Sequence, residues 1–230
     1  MALARSIEAL GKRVVACERC PRLRAWCEQV AREKRAAYAS ETYWGRPVPG
    51  FGDPNARLWI VGLAPAAHGA NRTGRIFTGD RSGDFLYASL HRLGYANQPT
   101  SVHRTDGLML TDCYISATAR CAPPDNKPTP GEVKNCSEYL DAELELLKQT
   151  RVMLALGGIA WDACIDLLKR RGRFTAREAK PKFAHGEELK IDERLTLLAS
   201  YHVSQQNTFT GRLTPAMFDA VIARAKQLSV

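Results

Sequence analysis

The stretch Arg57-Leu-Trp-Ile-Val-Gly-Leu63 runs directly into Ala-Pro-Ala-Ala-His-Gly69. A short apolar run that ends in small residues and turn formers is typical of a buried parallel strand leading into a loop. Four glycines lie between residues 62 and 80, so the loop backbone can approach a ligand closely. Their spacing does not match a phosphate or dinucleotide loop. The pattern favours a binding loop over a merely tight connection.

Three further segments are predicted as buried strands, over residues 108–116, 151–156 and 195–202. Helical periodicity is predicted over residues 82–93, 130–149 and 158–171, and again from 215 to 228. Alternation of strands and helices indicates one α/β domain over residues 1–230, with a parallel sheet covered on both faces. Ligands should then collect where the strands end. The charged stretch 170–190 is predicted to be an exposed excursion.

The composition is strongly basic. Lys and Arg total 33 against 24 Asp and Glu, a formal net charge of +9. Such a surface favours a polyanion, although some basic proteins do not bind DNA. No apolar run reaches the roughly 18–20 residues of a membrane span, and no signal-peptide pattern is present. We therefore expect a cytoplasmic protein, monomeric, with no membrane association.

Seven cysteines suggest ligation rather than disulfides in a reducing compartment. Cys17 and Cys20 form a close pair, and Cys121 and Cys136 are separated by 14 residues. Four thiolates can hold a tetrahedral zinc ion or an iron–sulfur cluster. The long second gap is unlike a zinc ribbon and favours the cluster, with zinc and unligated thiols as alternatives. Of the remaining cysteines, Cys113 and Cys164 fit buried apolar positions, and Cys27 is ambiguous.

Three motifs together resemble those of family-5 uracil-DNA glycosylases, the UDGb type of the uracil-DNA glycosylase superfamily. They are the loop 62–80, Arg120-Cys-Ala-Pro-Pro-Asp-Asn-Lys-Pro128 and His202-Val-Ser-Gln-Gln-Asn-Thr208. The resemblance implies a three-layer αβα sandwich around a four-stranded parallel sheet. It also implies a 4Fe-4S cluster, held by Cys17, Cys20, Cys121 and Cys136.

The resemblance implies a base-excision activity on DNA. A base in a duplex must be flipped into a pocket before its N-glycosidic bond is hydrolysed, and mismatched bases flip most readily. Uracil opposite guanine in double-stranded DNA is the expected substrate, with single-stranded DNA as a second candidate. Hypoxanthine, xanthine and other modified bases are further expected substrates. A non-catalytic module that binds damaged or single-stranded DNA is the alternative function, and a zinc-stabilised nucleic-acid protein is a third.

By the same resemblance, Phe77 stacks on the extruded base and His202 hydrogen-bonds the departing base as it gains negative charge. Ala64 stands where several relatives carry a carboxylate or asparagine that handles water. Ala117 stands where the sister iron–sulfur family has an asparagine that reads uracil. Both departures suggest a broad pocket. The predicted base-binding set is Gly62, Ala64, Pro65, Ala66, His68, Phe77 and Ala117.

With Ala64 unable to activate water, the candidates for this role are Asn126 first, then Asn71 and Asp80. These three and His202 form the predicted catalytic set. For Asn126 an ordinary turn-forming role is an equal alternative. Expected DNA contacts come from Arg72, Arg75, Ser204, Gln205, Gln206 and Asn207, with Arg81 and Arg212 as further phosphate partners. Phe209 is an apolar candidate for a wedge inserted into the helix.

Overall fold

The protein is described by a computed structural model over residues 6–174 and 181–230. The strands are β1 (Phe51–Gly52), β2 (Leu58–Gly62), β3 (Cys113–Ala117), β4 (Val152–Leu156), β5 (Glu188–Lys190) and β6 (Thr196–Ser200). The helices are α1 (Ile7–Val15), α2 (Pro21–Glu33), α3 (Ala70–Thr73), α4 (Arg81–Arg92), α5 (Pro130–Leu146), α6 (Gly158–Arg170), α7 (Gln205–Phe209) and α8 (Pro215–Leu228). None of the described helices is long and apolar enough to cross a membrane.

The strands form one sheet in the order β1-β3-β2-β4-β6-β5. Its four central strands are parallel, which confirms the predicted four-stranded parallel core. Two short antiparallel strands, β1 and β5, extend the edges. They escaped prediction because they are two and three residues long and lack a buried apolar run.

The residues of β2 alternate between two cores. Leu58 and Ile60 face one core, which includes apolar side chains of α4 and α8. Trp59 and Val61 face the other, which includes side chains of α5 and α6. Successive strand residues point to opposite faces, so each face is covered by its own pair of helices. The architecture is the expected αβα sandwich.

Three predicted bounds were wrong. The strand predicted over residues 195–202 ends at Ser200. The strand predicted over residues 108–116 begins only at Cys113, because Asp112 adopts a left-handed conformation with φ of 56° that interrupts an extended chain. The helix predicted over residues 130–149 ends at Leu146. Only part of the stretch 170–190 is exposed, since the Trp161 indole donates to the Pro181 carbonyl at 3.0 Å and β5 pairs with β6. Residues 175–180 of that stretch lie outside the described residues.

Two N-terminal helices, which the sequence reasoning did not identify, precede the sheet. The Ser6 hydroxyl caps α1 by accepting the Ala9 N–H at 3.1 Å, and α2 starts with Pro21 immediately after Cys20. Helix α1 packs against α5, and α2 against α3. Cys17 and Cys20 thus lie in the short connection between α1 and α2, beside the sandwich.

Candidate active site

A cavity of about 670 Å³ opens beyond the ends of β2 and β6, at the sheet edge where a ligand site was predicted. It is bounded by the loop that follows β2, by the turn after Cys121 and by the segment that follows β6. Its lining residues are Leu63, Ala64, Ala66, Phe77, Asp80, Ser82, Asp125, Asn126, Lys127, His202, Ser204, Gln205, Gln206 and Asn207.

Phe77 forms one wall of the cavity. A Cβ atom at Gly62 would lie 2.7 Å from the Phe77 Cζ atom, so only glycine at the end of β2 lets the ring lie against the strand. Phe77 itself has a φ of 50°, an uncommon value for a bulky residue that the surroundings must maintain. The adjacent Thr78 hydroxyl accepts from the Arg75 guanidinium at 2.9 Å and lies 2.7 Å from the Ser101 hydroxyl. The ring is therefore held as a fixed, flat surface.

His202 lies two residues beyond β6, beside Phe77. The two ring centroids are 6.2 Å apart, and the ring planes are inclined by 38°. Asn207 donates from Nδ2 to the His202 backbone carbonyl at 2.8 Å. Burial lowers the pKa of His202 to about 4, so the imidazole is neutral at pH 7. A neutral ring with one N–H can donate a hydrogen bond to a base edge next to the Phe77 face.

Asp80 brings a fixed carboxylate to the cavity. It caps α4, and its Oδ1 atom accepts from Ser82 N at 2.9 Å and Gly83 N at 3.1 Å. A Cβ atom at Gly69 would lie 1.8 Å from Asp80 Oδ2, which shows how tightly the loop folds over this second oxygen. Burial raises the pKa of Asp80, while the two backbone hydrogen bonds act in the opposite direction. The carboxylate is thus oriented by a helix N-terminus.

The turn Pro124–Asn126 covers the cavity from a third side. Asp125 and Asn126 have φ values of 53° and 56°, two consecutive left-handed residues, and both side chains are exposed. Asn and Asp tolerate this conformation better than other side chains do. The local geometry therefore supports a turn-forming role for Asn126, and the same turn brings it to the cavity.

Asn71, the second candidate for handling water, does not line the cavity. Its side chain is fully buried, and Nδ2 donates to the backbone carbonyls of Cys27 at 3.3 Å and Ala67 at 3.4 Å. Sequence reasoning could not separate it from Asp80, which stands in the same loop. The structure brings Asp80 to the cavity and leaves Asn71 behind the loop.

The predicted DNA contacts of Arg72 and Arg75 are contradicted by their burial. Arg72 pairs with Glu41 and donates to the carbonyls of His68 and Gly79, and its side chain is 6% exposed. Arg75 pairs with Asp106 at 2.7 Å and is 5% exposed. Both guanidinium groups are used to hold the loop that carries Phe77, so they cannot meet phosphates.

The predicted base-binding residues divide into two groups. Ala64, Ala66 and Phe77 line the cavity, and Gly62 lies directly behind the Phe77 ring. The other three lie outside the lining: Pro65 and Ala117 are buried, and His68 faces Tyr43, with Nδ1 3.0 Å from the tyrosine hydroxyl. His68 therefore braces the loop.

All four polar residues after His202 that were predicted to contact DNA line the cavity: Ser204, Gln205, Gln206 and Asn207. Gln205 and Gln206 are exposed. Lining residues that sequence reasoning missed are Leu63, Ser82, Asp125 and Lys127. Leu63, Asp125 and Lys127 lie inside the quoted motifs but were given no role there, and Ser82 lies two residues beyond the loop 62–80.

The four cysteines of the predicted ligand set lie close to one another. Burial, with smaller contributions from the nearby thiols of Cys20 and Cys17, raises the pKa of Cys136 to about 11. Cys136 in turn raises the pKa of Cys121, after the larger effects of a hydrogen bond with Cys27 and of burial. Cys27, the ambiguous cysteine, is thus a buried neighbour of Cys121. Within residues 6–174 and 181–230, no three His, Cys, Asp or Glu side chains converge to hold one metal ion.

Two cations adjoin these thiols. Arg24 interacts electrostatically with Cys121, and Arg120 with Cys136. Arg120 is 1% exposed, and although its Nη2 atom bonds Glu143, its Nε and Nη1 atoms are buried without a hydrogen-bond partner. Unmet donors of a buried cation beside thiols suit an anionic group in this position. The surroundings are therefore compatible with a thiolate-bound cluster.

Comparison with known proteins matches residues 49–226 to the Uracil DNA glycosylase superfamily. The chain belongs to the uracil-DNA glycosylase superfamily. It is 52% identical to a type-5 uracil-DNA glycosylase of Mycobacterium tuberculosis over 98% of this chain and 83% of the relative. It is 50% identical to that of Thermus thermophilus over 96% of this chain and 98% of the relative. It is 47% identical to that of Pyrobaculum aerophilum, over 93% and 89% of the two chains.

These relatives confirm the resemblance to family-5 glycosylases that the motifs indicated. Type-4 uracil-DNA glycosylases match less of the chain, with 35% identity over 56% of it for the Pyrobaculum aerophilum enzyme. In this superfamily member the matched region contains β1 to β6, all three sides of the cavity and most of α8. The cavity is thus carried by the part of the chain that defines the family.

A neutral His202 has a measurable consequence for stability. Below pH 6.5 the unfolded chain binds a proton on this histidine, whereas the folded protein stays neutral down to a pKa of about 4. Stability is therefore lost as the pH falls through this window. Between pH 7 and pH 5, wild type should lose about 2 kcal/mol more unfolding free energy than His202→Gln. Urea denaturation at both pH values measures this difference.

The matched control is His103→Gln, which replaces an exposed histidine. It should follow the wild-type pH dependence. Equal losses in wild type and His202→Gln would show that the imidazole is not held neutral.

Proposed function

We propose that this protein is a uracil-DNA glycosylase that flips uracil out of DNA and hydrolyses its N-glycosidic bond, leaving an abasic site. The observation that carries the proposal is the pairing of a fixed flat ring with a neutral histidine at one cavity. A flipped base can stack on Phe77 while His202 donates to its edge. The superfamily match and the names of the full-length relatives agree with this chemistry.

The reaction needs charge stabilisation at two places. As the bond between C1′ and the base breaks, the electron pair leaves with the base and positive charge develops on the sugar. A hydrogen bond from His202 stabilises the departing anion without requiring a protonated imidazole. Water then forms the new bond at C1′ and loses a proton.

Asp80 and Asn126 supply the polar groups for this water. Both line the cavity, whereas Ala64 offers only a methyl group. Asp80 Oδ1 is occupied by two backbone N–H groups, so Oδ2 is the oxygen free to accept the proton. The exposed Asn126 amide orients the water or the sugar from the opposite turn. Together, Asp80 and Asn126 would take the role of the carboxylate or amide that position 64 lacks.

The substrate range is proposed to extend to hypoxanthine and xanthine. Phe77 stacks on any base, and a single donor from His202 serves any base with a suitably placed acceptor. Alanine at position 117 has no side-chain amide that could read the base. It is also buried and lies outside the lining of the cavity. The reaction product would enter base excision repair. The group that binds at the cysteines is proposed to be a 4Fe-4S cluster.

For the cluster, Cys17, Cys20, Cys121 and Cys136 are the proposed ligands. A single zinc ion needs its ligands about 2.3 Å from one centre, whereas a four-iron cluster keeps thiolates further apart. When bound, the cluster would supply cross-linking rather than chemistry at the base. Arg22 follows Cys20 and donates to the Lys127 carbonyl at 3.3 Å and to Glu132. The cysteine segment is thus fastened to the turn that carries Asn126.

The activity is tested with duplexes carrying uracil, hypoxanthine, xanthine or thymine opposite a natural base. We expect release of uracil and the two deaminated purines, with strand cleavage only after alkali. His202→Ala should lower the single-turnover rate by about 10²–10³-fold. Asp80→Asn and Asn126→Ala should each lower it by about 10²-fold. DNA binding should change far less than turnover.

The control is Asn55→Ala, an exposed asparagine outside the cavity. Binding of uracil-containing DNA without base release would contradict the enzyme proposal and favour a non-catalytic DNA-binding module.

The cluster is tested by metal analysis of protein purified without oxygen. Wild type should contain equal amounts of iron and sulfide and absorb blue light, and Cys17→Ser or Cys136→Ser should lower both contents. Cys164→Ser, which replaces a fully buried thiol of α6, should leave them unchanged. Zinc in place of iron would contradict this assignment. So would an iron content that Cys17→Ser and Cys136→Ser leave as unchanged as Cys164→Ser does.

A further inference from the structure

A second cavity, of about 540 Å³, lies beside the first on the same surface. It is lined by Arg81, Asp84, Phe85, Thr208, Phe209 and Pro215. Both cavities are built from the start of α4 and from α7, with Asp80, Ser82 and the first residues of α7 facing the one already described. The second cavity is therefore continuous with the proposed DNA-binding surface.

The composition of this cavity suits an unstacked nucleobase. Phe209 is 66% exposed, a large aromatic surface in contact with water. Arg81, Asp84 and Phe85 have the i, i+3, i+4 spacing that places side chains on one helix face. The Arg81 guanidinium lies 5.3 Å from the Phe209 ring centroid, and its charge acts on nearby Asp84 without a salt bridge among the described residues. A π-face and a cation free for phosphate occur together here.

Asp84 adds hydrogen-bonding capacity. Asp84 is exposed, and partial desolvation of its carboxylate raises its pKa while Arg81 acts in the opposite direction. A carboxylate beside an aromatic ring can accept from the amino group of a stacked base. The apolar floor of Phe85 and Pro215 completes the cavity.

We propose that this second cavity receives a nucleobase adjacent to the flipped nucleotide, stacked on Phe209, with Arg81 on its phosphate. The inference rests on the proposed function, because it requires DNA bound across the first cavity. The base comes from the neighbouring position of the damaged strand or from the partner left unpaired in the other strand. Both sources present the same flat ring, and the experiment distinguishes them.

The probe is a duplex with 2′-fluoro-2′-deoxyuridine opposite guanine, whose glycosidic bond resists cleavage. 2-Aminopurine is placed on the 5′ side of the lesion, on its 3′ side or in place of the opposite base. In the wild-type complex, one of these positions should become protected from acrylamide quenching. Phe209→Ala should remove that protection and weaken binding at least about fivefold.

Arg81→Gln should weaken binding without removing protection, and Met109→Ala, an exposed apolar residue outside both cavities, is the matched control. If the duplex binds tightly but all three positions stay accessible, or if Phe209→Ala behaves as Met109→Ala does, the second base site is wrong. If the duplex does not bind at all while apparent folding is intact, the proposed function itself fails.

A different observation concerns the backbone just before His202. Strand β6 pairs with β5, and the ladder is continued by Gly186 N donating to the Ala199 carbonyl at 2.9 Å. The N–H of Tyr201, at the end of this ladder, is instead accepted by Nδ1 of His185 at 3.2 Å. The His185 ring also stacks on the Tyr201 ring, with centroids 5.0 Å apart and planes inclined by 25°.

Further contacts fix this pair from both sides. The Arg212 guanidinium lies 4.5 Å from the Tyr201 ring centroid. Burial lowers the pKa of His185, and the nearby Met217 backbone at the start of α8 acts in the opposite direction. We infer that His185 is a positioning residue that fixes the Tyr201 backbone and, through it, the direction of the His202 ring. It touches no substrate, so its effect must pass through the main chain.

The test compares His185→Leu with His185→Asn, because the asparagine Oδ1 atom can occupy the place of the ring Nδ1 and accept the same N–H. His185→Leu should lower the single-turnover rate of uracil release about tenfold and leave DNA affinity within about twofold, as expected for a misplaced transition-state contact. His185→Asn should restore most of the rate. Amide exchange at Tyr201 should be slow in wild type and His185→Asn and fast in His185→Leu.

Equal rates for the two variants, or a change confined to DNA affinity, would overturn the positioning role. Unchanged exchange at Tyr201 in His185→Leu would do so independently of activity, even if uracil were not the substrate.

Discussion

The site depends on the close approach of Phe77 to Gly62 at the end of the central strand. Because no Cβ atom intervenes, the ring lies directly against β2, and the loop that follows must return to the strand it has just left. The return requires a left-handed Phe77, a conformation that costs on the order of 1 kcal/mol or more. It persists because the side chains of Thr78, Ser101 and Arg75 hydrogen-bond one another, and the Thr78 hydroxyl also bonds the Ile76 carbonyl at 3.2 Å. The main structural result of this loop is thus a rigidly placed Phe77 ring at the wall of the cavity.

That constraint explains why two arginines that were predicted to contact DNA instead hydrogen-bond within the loop. Arg72 and Arg75 stand in a glycine-rich loop of a basic protein, and their burial cannot be read from the sequence. The strands were predictable because their apolar runs are long and their ends carry turn residues, as in β2. Asp80 and Asn71 could not be ranked, since only the capping geometry of α4 turns one of them towards the cavity. His202 was identified through the resemblance of its motif to that of the family, and its place at the end of a predicted strand supported this choice.

The N-terminal segment, outside the predicted elements, is fastened to the active-site turn rather than merely attached to the sandwich. Arg22 bonds Glu132 and the Lys127 carbonyl, and Arg24 donates to the Gly45 carbonyl at 3.0 Å. Arg120, next to Cys121, makes a fully buried ion pair with Glu143 of α5. Such a pair is costly to break, although its net contribution to stability is small. Ligation of the four cysteines, which lie near these arginines, would hold the turn 124–126 at its present distance from Phe77. That distance sets the width of the cavity.

Under the proposed function, selection of the base would depend partly on the DNA and not only on the cavity. A flat ring accepts any base, and a neutral histidine offers one hydrogen bond, so neither distinguishes uracil sharply from other deaminated bases. Ala64 offers no polar group to the cavity, and the buried Ala117 has no amide that could read the base. Under the proposed function, discrimination must then arise earlier, from the lower cost of extruding a base that is already mispaired. Under the proposed function, such a pocket would accept several deaminated bases because it contacts the base edge at few points, and it would spare normal pairs because they rarely open.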